Sequence, residues 1–149
     1  MARFAAIQAL YQIELSQGDP ADVIAEFKAH RLSDLLEPLE EDLPKLRVDH
    51  GWFAVVTRGA AEQRNKLDGQ IAACLAEGWT LERIGFVSRA LLRAGAFELA
   101  ERLDVPSSVV VNEYVEVAHA FFEGNEPAFI NAVLDRLSKR LRGNGAGPA

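Results

Sequence analysis

Apolar residues recur at helical spacing along nearly the whole chain, and no stretch shows the strict apolar–polar alternation of a half-buried strand. No Asn-Gly or Asp-Gly pair joins two apolar runs as a hairpin turn would. The expected fold is therefore all-α, a bundle of about six to seven helices. With 149 residues, 49% hydrophobic and 26% charged, the chain can bury a sizeable core as one globular domain or as two small lobes. A single cysteine, Cys74, excludes an intramolecular disulfide and an intrachain thiolate cluster. It reads as a small buried hydrophobe on a helix. No apolar run approaches the roughly 18 residues of a membrane span, and the N-terminus lacks the pattern of a secretory signal, so a cytoplasmic location is expected. The net charge of −6 opposes non-specific binding to DNA or anionic membranes. Any nucleic-acid binding must then come from local patches.

The first helix is expected over 3–17, with Phe4, Ile7, Tyr11 and Leu15 on one stripe. Gly18-Asp19-Pro20 ends it and starts a second helix to about Leu36, with Asp19 as N-cap and Pro20 in the first turn. The segment EPLEEDLPKL (37–46) reads as an acidic surface connection between lobes of about 1–46 and 47–142. Residues 48–77 form a long or bent helical stretch with stripes Trp52/Val55/Val56/Ala60 and Leu67/Ile71/Leu75, and Gly59 is a candidate kink. Gly78 ends that stretch and Thr80 caps the next helix, about 81–103. There Ile84, Val87, Leu91, Gly95 and Leu99 share one face, while Phe86, Arg89, Arg93 and Phe97 share the other. A helix apolar on both sides belongs at the centre of the bundle. Gly95 suits a close helix crossing, and Glu98, if buried, needs a partner or a proton. Helices at 106–122 and 126–141 follow, and the tail 143–149 should be weakly held.

Signals for catalysis are thin. The chain has no GxGxxG or Walker-type phosphate loop, and no HExxH, GxSxG or CxxC motif. His119 lies one helical turn from Glu116 and Glu123, but such a trio on an acidic helix face reads as a solvated surface. No metal, cofactor or enzymatic activity is expected. Two features suggest a ligand instead. Arg3 stands at the start of an amphipathic helix. Near the turn 123–129, Asn125 offers an amide and Phe129 a ring lying off the main apolar stripe of its helix. Arginine, an exposed ring and amides together are how proteins hold single-stranded RNA, whose unstacked bases lie on rings.

Several segments, in order, resemble the NusB family of bacterial transcription antitermination factors. They are ARFAAIQALYQIELSQGD at the start, LDGQIAACL (67–75), ALLRAGAFELAERLDVPSSVVVNEYVEVAHAF (90–121) and FINAVLD (129–135). The resemblance covers most of the chain and implies the NusB-type fold, a single RNA-binding helical domain over 1–142 made of two sub-bundles. It implies binding of boxA-type single-stranded RNA together with the ribosomal protein NusE, within the transcription elongation complex, in support of ribosomal RNA operons. The RNA-binding positions it implies are Arg3, Gln8, Tyr11, Asn125 and Phe129. The partner-binding positions are Tyr11, Glu82 and Arg89. No membrane partner is implied, and homodimerisation is left open.

Departures from the family pattern carry their own expectations. Only Arg3 matches the family's arginine-rich N-terminal segment here, so the expectation is either that the start is short or that RNA binding is reduced, since phosphate contacts carry much of such affinity. Phe97, His119 and Ala132 replace a family Tyr, Lys and Gly. Asn125 stands where an acidic residue is common, which lessens repulsion of phosphate. One alternative is a stand-alone relative of the RNA-binding domain of RsmB-type ribosomal RNA methyltransferases, against which the short chain and the missing glycine-rich cofactor loop argue. Another is a helical protein-interaction scaffold that never touches RNA.

Overall fold

The computed structural model describes residues 2–31, 50–76 and 78–142. The 37–46 connection and the 143–149 tail lie outside the described residues. Every regular element among the described residues is helical. We number the α-helices α1 (Ala2–Ser16), α2 (Pro20–Glu26), α3 (His50–Glu62), α4 (Arg64–Ala72), α5 (Phe86–Glu101), α6 (Ser107–Phe121) and α7 (Glu126–Arg142). A π-helical turn, Phe27–Arg31, extends α2, and a 3-10 turn, Leu81–Arg83, precedes α5. The chain divides into two compact units, Met1–Glu62 and Gln63–Ala149. The boundary falls later than the acidic connection because α3 packs against α1 and α2. Among the described residues, no helix is long and apolar enough to cross a membrane.

In the first unit, Asp19 caps α2 as its position before Pro20 requires, accepting a 2.9 Å hydrogen bond from the Ala21 N–H. The buried face of α1 is Ala5, Ala6, Ile7, Ala9 and Leu10. This differs from the expected Phe4/Ile7/Tyr11/Leu15 stripe, of which Ile7 alone is buried. Three small alanines let α1 approach its neighbours closely, so the backbone itself forms part of the core, and Tyr11 and Leu15 are turned outward. In α3 the buried set is Phe53, Val56, Thr57 and Ala60, spaced i, i+3, i+4, i+7, and Val55 is exposed. Phe53 stacks on Phe27 with ring centroids 5.7 Å apart.

The second unit is built around α5. From Ala90 to Leu99 every residue of this helix is buried, as two apolar faces require, and α4, α6 and α7 all pack on it. Gly95 marks the crossing with α7, where a Cβ would lie 2.7 Å from Leu134 Cδ2. Two polar groups inside this core are paired. Arg93 forks onto Asp68 of α4 through Nε at 2.7 Å and Nη2 at 2.9 Å. Glu98, fully buried, accepts a hydrogen bond from the Tyr114 hydroxyl of α6. Burial without such partners would be strongly unfavourable. Arg142 closes the far end of α5. Its guanidinium donates to the carbonyls of Leu99 (2.9 Å), Arg102 (3.0 Å) and Val105 (2.7 Å) and to Ser107 Oγ (3.1 Å). These include carbonyls that a helix end leaves without intrahelical partners. Burial pushes the Arg142 pKa down, while the carboxylates of Asp104 and Glu98 push it up.

Element boundaries differ from the sequence reading in three places. The helical stretch expected to end at Gly78 ends at Ala72, and Gly78 belongs to a later turn. The 48–77 stretch breaks at Gln63 rather than kinking at Gly59. The helix expected from 81 begins at Phe86 with Gly85 as N-cap, and Thr80 makes no side-chain cap. Ile84 is nevertheless buried, because the 3-10 turn delivers it to the core.

Candidate functional site

The residues singled out in the sequence fall into both units. In the first unit Arg3 opens α1 half-buried, its guanidinium 5.1 Å from the centre of the Trp52 ring, within cation–π range. Gln8 and Tyr11 follow on α1 three residues apart, hence on neighbouring surface. Gln8 is half-buried and Tyr11 is 37% exposed. None of the three is sealed in the core.

In the second unit Asn125 and Phe129 are brought together. The Phe129 N–H bonds the Asn125 carbonyl at 3.1 Å, as α7 starts. Both line a cavity of about 330 Å³ whose other walls are Trp79, Arg83, Ile84, Gly85, Ser88 and Glu126. The Phe129 ring is half-buried because it leans on Trp79, with centroids 5.9 Å apart and planes tilted by 42°. Arg83 lies over the Trp79 ring at 5.7 Å and donates to the Gly78 carbonyl at 2.9 Å. Gly78 has φ +89°, a conformation that favours glycine, and this turn presents Trp79 half-exposed.

Trp79 and Arg83 were missed by sequence reasoning. The signal available was an aromatic residue immediately after a turn glycine, where no core stripe claims it. Trp52, which holds Arg3, was assigned there to an apolar stripe.

Glu82 and Arg89 also lie near each other. The Glu82 carboxyl is held below the usual carboxylate range, first by its own backbone N–H, then by the Thr80 hydroxyl, with the Arg89 charge adding to both. Arg89 donates to the Leu81 carbonyl at 3.2 Å and lies 4.6 Å from the centre of the Phe86 ring, which is 39% exposed. Tyr11, the third expected partner residue, belongs to the first unit. Among the described residues no three His, Cys, Asp or Glu side chains converge to hold a metal ion, so Glu116, His119 and Glu123 form no such group. Burial pushes the Cys74 thiol up, against the pull of Arg140 and Arg136.

Two helical units, the second holding buried polar pairs, that display rings, guanidinium groups and amides define an all-helical bundle protein. The chain belongs to the NusB family, whose model matches residues 1–139. It is 47% identical over 142 residues to the transcription antitermination protein NusB of Sinorhizobium fredii, covering 95% of this chain and 86% of that one. The NusB of T. maritima superposes with a TM-score of 0.71 at 29% identity, covering 93% of this chain and 88% of that one. A NusB solved with NusE and double-stranded RNA shares the fold, with a TM-score of 0.70 at 23% identity over 93% of this chain and 94% of that one.

Proposed function

We propose that the chain is a transcription antitermination factor that binds boxA-type RNA together with the ribosomal protein NusE. It acts within the transcription elongation complex, in the cytoplasm, and supports transcription of ribosomal RNA operons. The observation that carries this reading is the 47% identity, across 95% of the chain, to a protein named for that activity. The surface chemistry agrees with it. Phe129 offers a half-exposed ring beside the Asn125 amide, and Arg3 and Tyr11 offer a guanidinium and a phenol in the first unit. RNA contacts are assigned to Arg3, Gln8, Tyr11, Asn125 and Phe129. NusE contacts are assigned to Tyr11, Glu82 and Arg89. The net charge of −6 favours a division of labour, in which a basic partner supplies phosphate attraction that this chain lacks overall.

The test is a titration of fluorescently labelled boxA RNA with the chain alone and with purified NusE. Binding should tighten when NusE is added. Equal, weak affinity in both titrations would instead support the scaffold reading.

A further inference from the structure

The cavity beside Phe129 contains more than the family resemblance assigned to it. Its floor is two rings in contact, Trp79 and Phe129, and one wall is a guanidinium lying on the indole. Its rim carries an amide, Asn125, and a carboxylate, Glu126. The volume of about 330 Å³ is at the small end of the range for small-molecule sites, roughly 300–1,000 Å³. That is room for a single nucleotide rather than a stack of bases. The rings touch, so a base lies across them and not between them.

We infer that this cavity is the seat of one unstacked nucleotide of the bound single-stranded RNA, with Trp79 as its stacking platform and Arg83 as its phosphate contact. The inference rests on the RNA-binding reading above and adds two residues to it. Charge orients the nucleotide. The Glu126 carboxylate repels a phosphate, whereas the exposed Arg83 guanidinium attracts one. The base edge therefore points to Asn125 and Glu126, whose amide and carboxylate oxygens accept from a base amino group. Arg83 suits the phosphate role because its contacts with Trp79 and the Gly78 carbonyl fix the guanidinium in place before RNA arrives. Trp79 suits the stacking role because any base presents a flat face, so the platform demands little of sequence.

The test uses the full chain with purified NusE and a labelled boxA oligoribonucleotide, read by fluorescence anisotropy. A set of the same oligonucleotide carries a single abasic position moved along its length. Trp79→Ala should weaken binding by about tenfold, and Trp79→Phe should keep most of the affinity. Arg83→Gln should weaken binding less and lower the slope of log affinity against log salt by about one contact. For the intact protein one abasic position should lose affinity sharply, and in Trp79→Ala that same position should lose nothing further. If Trp79→Ala binds as tightly as the parent while Phe129→Ala binds weakly, the seat is wrong and the RNA reading stands. Additive losses for Trp79→Ala and the abasic position would overturn the seat as well. Absence of binding by the parent protein with NusE would overturn both. Trp79 lies on a turn and is half-exposed, so melting curves of the variants should match the parent.

Discussion

Gly95 and Gly69 both lie within helices, and the same substitution should act on them in opposite directions. At Gly95 an added methyl group meets Leu134 Cδ2 at 2.7 Å and Cδ1 at 3.2 Å. Comfortable carbon contacts lie near 3.5–4.0 Å, so the methyl must displace a fully buried leucine by about 1 Å. Overpacking of this kind costs about 1–3 kcal/mol. Helix propensity returns about 1 kcal/mol. Gly95→Ala should therefore lose about 1 kcal/mol, which for a chain of this length is a fall of about 3 °C in Tm. At Gly69 nothing lies within 4 Å of the added Cβ, so only the propensity gain remains. Gly69→Ala should gain about 0.5–1 kcal/mol. Urea denaturation of both variants supplies the comparison. A Gly95→Ala/Leu134→Ala double variant should lose clearly less than the sum of its parts, because the smaller side chain removes the clash. A stabilised Gly95→Ala, or strict additivity in the double variant, would refute the tight crossing of α5 and α7.

Tyr114→Phe removes a donor to a buried carboxylate and should lose about 2 kcal/mol by chemical denaturation, while retaining helical circular dichroism. Asp68→Ala removes the carboxylate onto which the buried Arg93 forks and should lose about 1.5–3 kcal/mol; adding Arg93→Met should restore part of it. Asp104 is held below the usual carboxylate range, chiefly by its hydrogen bond from Arg102. A depressed folded-state pKa means its contribution is complete above the unfolded-state pKa and disappears as pH falls through the folded-state one. In an NMR pH titration, Arg102→Gln should move the Asp104 midpoint up towards the ordinary value.

Where one helix face is wholly apolar, the fold was legible in the residues alone. The expected 106–122 and 126–141 helices are Ser107–Phe121 and Glu126–Arg142 in the structure, and Asp19 caps α2 as read. The centrality of α5 and the close approach at Gly95 followed from the double-faced pattern and from the glycine itself. What was not legible depended on pairing across distance. Arg93 was visible on a helix face, but Asp68, 25 residues earlier, had no local mark as its partner. Glu98 was recognised as needing a partner, yet nothing local marked Tyr114, 16 residues later, as that partner. The start of α5 was misplaced because the 3-10 turn at Leu81–Arg83 still delivers Ile84 to the core, so the apolar pattern continues across a break in the helix. Alanines misled the reading of α1, since a stripe of large residues was favoured over the small ones that let helices approach. Trp79 and Arg83 escaped notice because turn residues obey no period, and only the folded chain sets them beside Phe129.

The role assigned to the chain is to let RNA polymerase pass a terminator, and transcription in vitro reads that outcome itself. The template carries a boxA sequence ahead of a terminator, and purified elongation factors including NusE are present with and without the chain. Adding the chain should increase the full-length transcript, and mutating boxA should abolish the increase. An unchanged transcript ratio, or an increase that ignores the boxA mutation, would contradict the account.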